Sequence, residues 1–499
     1  MQQTPPDYAE QVNKENQQIS VCIKMIFIFE TSKKKLNYPE SALEKSFNFT
    51  FSFLMRSVRE NIFMDLTYQF TNKEITPWGG MAFLKQFLDK MAFSEQVSSC
   101  DFLPQPGSNR GYTPSVLLES FVCSVWCGAT KFIHTELTRS DRTLGKIFGW
   151  KQVPGQDAYK RFFSKFSQTD NLRVADYFFR WIIENYHYDN FTIDFDSSVL
   201  TRYGSQEGAK RGYNPQKRGR ASHHPLIAFI NDLRLVANFW LRSGDTASSS
   251  NFLSFLENTL EKLENKKVSL VRLDSGFCSD EIMSYLEEKP LKYIVAAKFY
   301  HPIQRLIAGN ENWILLDDGI EICEKEYQAN DWKTVRRMVI VRQKISVRPQ
   351  AAGKTLSLFP EEETCRNYRY SAYFTNLDFS PSLIWRIYCP RGDAENRIKE
   401  IKYDFGFDSF NLNGFYATEA ALIFVMIAYN LMSIFRMFVL QEKTQKRLST
   451  LRWRTFAIGA YFQKINGNIV LMIALTKKRR RWFDDLWNYP VNLPLISNA

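Results

Sequence analysis

The sequence lacks the regular cysteine spacing of a disulfide framework or a zinc finger. Its eight cysteines are scattered over 499 residues, and the closest two, Cys123 and Cys127, have no second Cys or His pair at zinc-ligand distance. This distribution argues against a secreted disulfide scaffold and is typical of free thiols in a reducing cytoplasm. The segment "CSVWC" therefore predicts one face of a buried helix and not a metal site.

The sequence also lacks a secretory signal. Its first seventeen residues are polar, and the apolar run Ile19–Phe29 is interrupted by Lys24. A longer apolar run, Ala420–Leu440, has the length of a membrane span, but it contains Asn430 and Arg436. Because nothing else in the chain is typical of a membrane protein, we predict a buried core helix and no membrane partner. A membrane span stays the alternative for this run, and solubility without detergent would exclude it.

Composition and charge describe a folded protein with a polyanionic partner. Hydrophobic residues make up 44% of the chain and charged residues 24%, which argues against a disordered protein. At about 100–200 residues per domain, a chain of this length holds two to four domains. The net charge of +12 and the pI of 9.1 favour nucleic acid as the partner, with an anionic membrane surface as the alternative.

We expect six segments along the chain. Apolar residues at three- and four-residue steps predict a helical region before residue 188, and short alternating runs predict a β-rich insertion later. The stretch that begins at Met64 is more typical of a natural start, and N-terminal sequencing of the native protein would test this. The segments are an extension of uncertain status (1–63), a helical DNA-binding domain (64–188), the first part of an α/β core (189–299), the β-rich insertion (300–387), the second part of the core (388–445) and a basic helical region (446–499).

Within the helical domain, one short helix interleaves basic and aromatic residues. Lys160, Arg161 and Lys165 alternate with aromatic side chains in "GQDAYKRFFSKF". A helix-turn-helix arrangement could insert such a helix into a DNA groove. A plain helical bundle is the alternative, and the sequence does not decide between them.

After residue 190 the pattern becomes that of an α/β core. "FTIDFDSSVL", "HHPLIAFI" and "LRLVANFWLRSG" are typical of hairpin-connected strands, and a helix is predicted over 246–267. "VSLVRLDSGF", "SDEIMSYLEEK" and "KYIVAAKF" then predict a strand, a helix and a strand. Three strands followed by helix, strand, helix and strand is the order of a ribonuclease-H-like core, in which the first and fourth strands are neighbours.

Three acidic positions in this core could converge. Asp194 and Asp196 share one face of the first strand because side chains alternate, and Asp274 ends the fourth strand. Glu395 lies on a later helix that could pack across the sheet. Oxygen ligands of this kind favour Mg²⁺ or Mn²⁺, and a pair of such ions is suited to phosphodiester chemistry. Each acid also has a plain structural reading, as a polar strand edge for Asp194 and Asp196 and as a turn residue for Asp274.

The helix with the glutamate carries a second set of polar residues. Tyr388, Arg391, Glu395 and Lys402 fall within an arc of about 60° at about 100° per residue. The arginine and the lysine could bind phosphate beside the metal site. The alternative is a solvated helix face with ordinary charge pairs.

A basic loop is predicted next to the first strand. The stretch from Arg202 to Arg220 contains glycines, a proline and a strong excess of basic residues, so we expect a flexible loop beside Asp196. It could contact the DNA backbone, or it could be an ordinary solvated hairpin loop. The candidate DNA-binding residues in it are Lys210, Arg211, Lys217 and Arg218.

The spaced Tyr388, Arg391, Glu395 and Lys402 resemble the signature of bacterial insertion-sequence transposases of the DDE class. "IDFDSS", "GSQEGAKRGYNP", "SHHPL" and "RLDSGF" further resemble the group named for insertion sequence thirteen-eighty, and the likeness runs from about 64 to 440. The resemblance implies a ribonuclease-H-like domain with a β-strand insertion, a helical domain that binds terminal inverted repeats, and a homodimer that synapses two DNA ends.

By position, the resemblance makes Asp196, Asp274 and Glu395 the catalytic and metal-binding triad. It makes Tyr388, Arg391 and Lys402 the residues that hold the DNA end. We choose Asp196 over Asp194 because small hydroxylated residues follow it, as they usually do in this family; Asp194 stays open.

The expected function is a metal-dependent DNA transposase, active in the cytoplasm on nucleoid DNA. It would cut DNA at the terminal repeats of its element and join the 3′-hydroxyl ends to target DNA with two Mg²⁺ or Mn²⁺ ions. A ribonuclease-H-like nuclease that only hydrolyses, and an inactive transposase-derived DNA-binding protein, are the alternatives.

Overall fold

The computed structural model describes residues 67–184, 190–345, 367–441 and 446–488. The chain divides into two units, Met1–Asn72 and Lys73–Ala499, and every helix and strand named below belongs to the second. The expected extension, 1–63, lies outside the described residues.

The region before the sheet is helical, as predicted. Its elements are strand β1 (Ile75–Thr76) and helices α1 (Met81–Lys90), α2 (Phe93–Ser98), α3 (Pro114–Cys127), α4 (Thr135–Arg139), α5 (Arg142–Phe148), α6 (Gln156–Phe163) and α7 (Gln168–Glu184). Helix α3 begins where Thr113 caps it and Pro114 takes the first position, and it ends at Gly128, whose φ of 117° few other residues adopt. Cys123 and Cys127 lie buried on this helix, which confirms that "CSVWC" belongs to a buried helix.

The centre of the protein is a nine-stranded mixed sheet. Its first five strands in chain order are β2 (Phe191–Ser197), β6 (Leu226–Ile230), β7 (Leu235–Trp240), β8 (Val268–Leu273) and β9 (Tyr293–Ala296). They lie in the order β7-β6-β2-β8-β9, with β2 antiparallel to β6 and parallel to β8. Helices α8 (Phe252–Leu263) and α9 (Asp280–Glu288) connect β7 to β8 and β8 to β9. The predicted order and the predicted contact between the first and fourth strands are both present.

The β-rich segment extends this sheet. After helix α10 (His301–Ala308), strands β10 (Ile314–Asp317), β11 (Ile320–Tyr327), β12 (Arg336–Lys344) and β13 (Tyr368–Thr375) form antiparallel pairs. Strand β13 pairs with β9, so the four added strands continue the central sheet on its β9 side.

Three helices follow the sheet. Helix α11 (Pro381–Tyr388) leads through a 3₁₀ turn (Cys389–Arg391) to α12 (Gly392–Phe405), and α13 (Phe415–Ile434) continues into a π-helical turn (Phe435–Leu440). The span Phe415–Leu440 has the length of a membrane span, and its most apolar window has a mean hydropathy of 2.0, yet 89% of that window is buried inside the protein. Helix α13 packs against α3, α7 and β7, which agrees with the predicted core helix.

The C-terminal region, which we expected to be helical, contains a hairpin as well. Helix α14 (Leu448–Leu451) precedes strands β14 (Ala460–Ile465) and β15 (Asn468–Ile473), which pair with each other and with β1, and α15 (Lys477–Trp487) follows. The hairpin forms because Asn466 and Gly467, with φ of 50° and 86°, supply the two left-handed residues of a tight turn.

Candidate active site

Asp196 and Asp274 lie side by side at the ends of two neighbouring parallel strands. Phe195 of β2 pairs with Leu273 of β8, and each aspartate is the next residue of its strand. One oxygen of each carboxylate is already held by the backbone: the Ser197 N–H donates to Oδ1 of Asp196 at 2.8 Å, and the Gly276 N–H donates to Oδ1 of Asp274 at 2.7 Å. The Oδ2 atoms are therefore the ones left for another partner.

The guanidinium of Arg391 faces both of these Oδ2 atoms. Its Nη2 lies 3.5 Å from Oδ2 of Asp196 and 3.9 Å from Oδ2 of Asp274. The same atom donates a hydrogen bond of 3.2 Å to the Phe195 carbonyl. Its Nε is buried and has no hydrogen-bond partner among the described residues. Arg391 is thus close to the aspartates but poorly hydrogen-bonded.

Burial disfavours the charged form of Asp196. Loss of solvent raises the pKa of its carboxyl to about 7, Arg391 opposes this shift, and the nearby Asp274 adds to it. A divalent cation would stabilise the charged form of this buried carboxyl more than the single positive charge of an arginine does. The all-oxygen donor set of the two aspartates fits Mg²⁺ or Mn²⁺.

Asp194, the other aspartate of the strand, is fully occupied. Nε and Nη2 of Arg272 donate to its two carboxylate oxygens at 2.6 and 2.7 Å, and both side chains are buried. Arg272 lies opposite Asp194 on β8, and its Nη1 also donates to the Ile387 carbonyl at 2.7 Å. This pair ties β2 to β8 and engages both carboxylate oxygens of Asp194.

Glu395 lies on helix α12 and lines the same cavity as the two aspartates, a cavity of about 820 Å³. Its side chain is 59% exposed, and its Oε1 accepts an ion pair of 2.9 Å from Lys399 one turn later. In the described part of the chain, no group of three His, Cys, Asp or Glu side chains is close enough to hold one metal ion. The structure therefore brings Asp196 and Asp274 together and leaves Glu395 on the cavity wall.

The remaining residues of the signature are divided between three elements. Tyr388 ends α11, Arg391 ends the 3₁₀ turn, and Lys402 lies on α12 with Glu395, so they do not share one helix. The Tyr388 hydroxyl donates to the Leu273 carbonyl at 3.1 Å, next to Asp274, and its ring packs on Tyr373. Lys402 Nζ donates to the Val199 carbonyl at 3.0 Å and lines the cavity. Burial lowers the pKa of Lys402.

The basic loop is more ordered than predicted. Strands β3 (Leu200–Thr201), β4 (Lys210–Arg211) and β5 (Ala221–His223) form a small sheet in the order β3-β5-β4. The buried Arg202 connects this sheet to the site, since its Nε donates to His223 Nδ1 at 3.0 Å and its Nη1 donates to the Asp408 carbonyl at 2.5 Å. The bond from Arg202 to the Asp408 carbonyl joins residues 206 positions apart and helps to order a stretch whose composition is typical of a flexible loop.

The four candidate DNA-binding residues of this small sheet are exposed, but their surroundings differ. Lys217 lines the cavity. Lys210 pairs with Asp245 at 3.0 Å, which neutralises part of its charge. Arg211 and Arg218 are exposed to solvent.

Residues 62–489 match the family model described as transposase DDE domain group 1. The chain belongs to this family. Members of DDE transposase families generally use divalent metal ions.

Two solved structures of transposases resemble the chain. The synaptic complex of the piggyBac transposase with hairpin DNA is 12% identical, with 77% of this chain and 81% of that chain covered and a TM-score of 0.43. The paired-end complex of the Mos1 mariner transposase with Mn is 10% identical, with 51% and 78% covered and a TM-score of 0.16. No curated protein matches the chain by sequence.

Several residues in and around this cavity were not predicted from the sequence. Lys131 reaches the cavity from the helical region, and Asp408 reaches it from the segment after α12. No local pattern marks either residue, because their position depends on the packing of distant segments. Arg272 could have been found, since it lies two residues before Asp274 and so shares a strand face with it.

Proposed function

We propose that the protein cuts DNA at the terminal inverted repeats of its element and joins the 3′-hydroxyl ends to target DNA. The observation that carries this proposal is the adjacent pair Asp196 and Asp274 on one cavity with Glu395, in a chain of the DDE transposase family. Transfer of a DNA strand needs carboxylates for metal and cations for phosphate in one place, and this cavity contains both.

In this proposal Asp196, Asp274 and Glu395 hold Mg²⁺ or Mn²⁺, two ions in all. When bound, the ions supply activation of the attacking water or 3′-hydroxyl and neutralise charge on the leaving oxygen. The choice of Asp196 over Asp194 is supported by the bidentate pair that Asp194 forms with Arg272. Glu395 would have to leave Lys399 to become a ligand, and its exposed position allows this movement.

The basic residues of the cavity would hold the DNA. We assign Tyr388, Arg391 and Lys402 to the phosphates of the DNA end. Lys217 at the cavity rim, with Lys210, Arg211 and Arg218 beside it, would bind the DNA backbone further out. Four exposed cations, two on strand β4 and two in the segment that joins β4 to β5, favour this over an ordinary solvated loop.

The resemblance to insertion-sequence transposases of the DDE class also bears on the fold, the DNA-binding region and the oligomeric state. We infer a ribonuclease-H-like catalytic core of the insertion-sequence thirteen-eighty group with its Tyr-Arg-Glu-Lys signature, supported by the strand order β7-β6-β2-β8-β9. We further infer that the helical region binds terminal repeats, in a homodimer that synapses two ends on nucleoid DNA in the cytoplasm.

The test uses DNA that flanks the gene, which should contain the terminal repeats. This DNA and a target plasmid are incubated with purified protein and Mg²⁺ or Mn²⁺, for the wild type and Glu395→Gln. Metal-dependent cutting and joining by the wild type alone would support the proposal. Cutting that survives Glu395→Gln would show that another carboxylate is the third ligand.

The two alternatives give different products in this assay. A nuclease that only hydrolyses would cut the flanking DNA without joined products. An inactive DNA-binding protein would bind the same DNA without cutting, and Asp274→Ala would leave its binding unchanged.

A further inference from the structure

The sheet contains two aspartate–arginine pairs that are held in very different ways. Arg272 makes three hydrogen bonds of 2.6–2.7 Å, two to Asp194 and one to the Ile387 carbonyl. Arg391 approaches Asp196 and Asp274 only to 3.5 and 3.9 Å, and its Nη2 bonds to one backbone carbonyl. The first pair joins strand β2 firmly to strand β8. The second is an electrostatic contact with little to hold it in place.

The backbone around Arg391 does not hold it either. Its neighbours Cys389, Pro390 and Gly392 are exposed, while the Arg391 side chain is turned inward and only 12% exposed. Its buried Nε lacks a hydrogen-bond partner within the described ranges, and burial of an unsatisfied donor is unfavourable. The guanidinium is therefore kept in this position by the attraction of the two carboxylates and by its hydrogen bond to the Phe195 carbonyl.

The guanidinium faces the two oxygens that a metal ion would need. Backbone N–H groups hold the Oδ1 atoms of Asp196 and Asp274, and Nη2 of Arg391 is directed at their Oδ2 atoms. A divalent cation bound to both Oδ2 atoms would lie at contact distance from this guanidinium, and the two positive charges would repel each other. The cation and the guanidinium therefore cannot occupy this position together.

We propose that Arg391 is the built-in counter-ion of the aspartate pair and exchanges its place with the divalent cation when DNA binds. In the DNA-free protein the single positive charge of the guanidinium offsets part of the negative charge of Asp196 and Asp274. When the metal takes the two Oδ2 atoms, Arg391 turns to a phosphate of the DNA end, which supplies the anion that it loses. This inference rests on the proposed function, because it takes the two aspartates as metal ligands.

The exchange would couple metal binding to DNA binding. Arg391 leaves a mostly buried position only if another anion receives it, so metal and DNA each favour the binding of the other. Metal-dependent cutting would then be suppressed until a DNA end occupies the cavity. For an enzyme that attacks phosphodiester bonds, this limits metal-loaded active sites to those that hold DNA.

The first experiment measures Mn²⁺ binding to the full chain without DNA, by the electron paramagnetic resonance signal of free Mn²⁺. The variants are Arg391→Gln, Arg391→Lys and, as the matched control, Arg386→Gln, which removes one exposed charge from α11 outside the cavity. We expect Arg391→Gln to bind Mn²⁺ about tenfold more tightly than the wild type. Arg391→Lys should bind close to the wild type, and Arg386→Gln should not differ from it.

Thermal unfolding gives a second readout for the same proteins. Without metal, Arg391→Gln should have a lower Tm than the wild type, and Mn²⁺ should raise its Tm by more than that of the wild type. Asp196→Asn added to Arg391→Gln should remove this extra shift, which ties the effect to the aspartate pair. Equal Mn²⁺ affinity in the wild type and Arg391→Gln, or no saturable binding in Arg391→Gln, would overturn the exchange.

The second experiment tests the movement to phosphate. At matched ionic strength, Mn²⁺ should steepen the dependence of log K on log salt for binding of flanking DNA by about 0.9, the value for one added phosphate contact. The steepening should be present in the wild type and absent in Arg391→Gln. If both slopes change alike, Arg391 does not move to the DNA. The proposed transposase function would survive that result, because it is tested separately by cutting and joining in the flanking-DNA assay.

Discussion

Arg272 and Asp194 form a bidentate ion pair between two parallel strands, with N–O distances of 2.6 and 2.7 Å and both side chains buried. Asp194 lies two residues before Asp196, and Arg272 lies two residues before Asp274. Asp194 and Asp196 share one face of β2, but their contacts differ. Asp194 binds Arg272 of the neighbouring strand, whereas Asp196 lines the cavity. The same strand thus has a structural acid and a candidate catalytic acid two residues apart.

Replacing these two aspartates should change the stability by very different amounts. Asp194→Asn leaves the buried Arg272 without its counter-charge, and we expect a loss of about 3–5 kcal/mol in the free energy of unfolding. Asp196→Asn removes a carboxylate whose charged form burial disfavours, and Asn can keep the bond from Ser197, so we expect a change below about 1 kcal/mol. Urea unfolding without metal measures both. Equal losses of stability in the two variants would contradict a structural role for Asp194 that Asp196 does not share.

Glu395→Gln should abolish cutting without affecting the fold. Its side chain is exposed, and its pair with Lys399 is of the surface kind, which contributes about 0–1 kcal/mol. We expect the free energy of unfolding to stay within about 0.5 kcal/mol of the wild type. Circular dichroism during thermal unfolding checks this, with Lys399→Gln as the matched control. If Glu395→Gln strongly lowered the free energy of unfolding, its loss of cutting would be explained by unfolding and not by the missing carboxylate.

His223 should make the small sheet beside the cavity sensitive to acid. Burial lowers the pKa of its imidazole to about 4, and Arg202 adds to this because its Nε–H donates to Nδ1, which must then be unprotonated. The unfolded chain has a histidine pKa of about 6.5. The folded state therefore binds fewer protons in this range, and stability falls as the pH drops from 6.5 through 4.

The expected contribution of His223 is at most about 3 kcal/mol, the free energy that corresponds to a shift of about 2.5 pKa units. His223→Gln should flatten the pH dependence of unfolding between pH 6.5 and 4. The control is His301→Gln, because His301 is exposed at the start of α10. If the wild type and His223→Gln lose stability in parallel on acidification, another group carries the effect.

Two lysines of the same small sheet should differ in their contribution to DNA binding. Lys217 lines the cavity, whereas Lys210 pairs with Asp245 at 3.0 Å. Lys217→Ala should weaken binding of the flanking DNA and reduce the slope of log K against log salt by about 0.9. Lys210→Ala should reduce the slope by less, because its charge is partly neutralised already. Fluorescence anisotropy at several salt concentrations measures both, and a larger effect for Lys210 would contradict the proposed orientation of the DNA.

The sequence was sufficient for the parts of the site that depend on strand order. Alternation along β2 and the connection through two helices predict that Asp196 and Asp274 follow adjacent strands, and the register of Phe195 with Leu273 agrees. The choice between Asp194 and Asp196 depends on Arg272, a contact across strands 78 residues apart in the chain. Alternation alone places both aspartates on one face.

Other features depend on local chemistry or on distant packing. Pro390 lies in the 3₁₀ turn Cys389–Arg391, so the signature that was expected on one helical face is divided between elements. The Asn466–Gly467 turn was a readable hairpin signal in a region that we expected to be helical. The inward position of Arg391 and the exposed position of Glu395 could not be predicted, because both depend on how the 3₁₀ turn and α12 pack against segments that are distant in the sequence.

Asn430 should be essential to an otherwise apolar helix. It lies fully buried in α13, where its Oδ1 accepts from the Val236 N–H at 2.7 Å and its Nδ2 donates to the Val236 carbonyl at 2.8 Å. These two bonds satisfy the backbone of Val236 in strand β7, which is at the end of the nine-stranded sheet and has a neighbouring strand on one side only. A polar residue in the most apolar run of the chain thus completes the edge of the central sheet.

Asn430→Leu makes α13 more apolar and yet should destabilise the protein. It leaves a buried N–H and a buried carbonyl of Val236 without partners, at about 1–3 kcal/mol each, so we expect the free energy of unfolding to fall by about 2–6 kcal/mol. Met432→Leu, a volume-conserving change at another buried position of α13, should cost less than about 1.5 kcal/mol. Urea unfolding of the two variants gives the comparison. If Asn430→Leu matches or exceeds the stability of Met432→Leu, Asn430 does not stabilise the edge strand, and its place in the apolar run needs another cause.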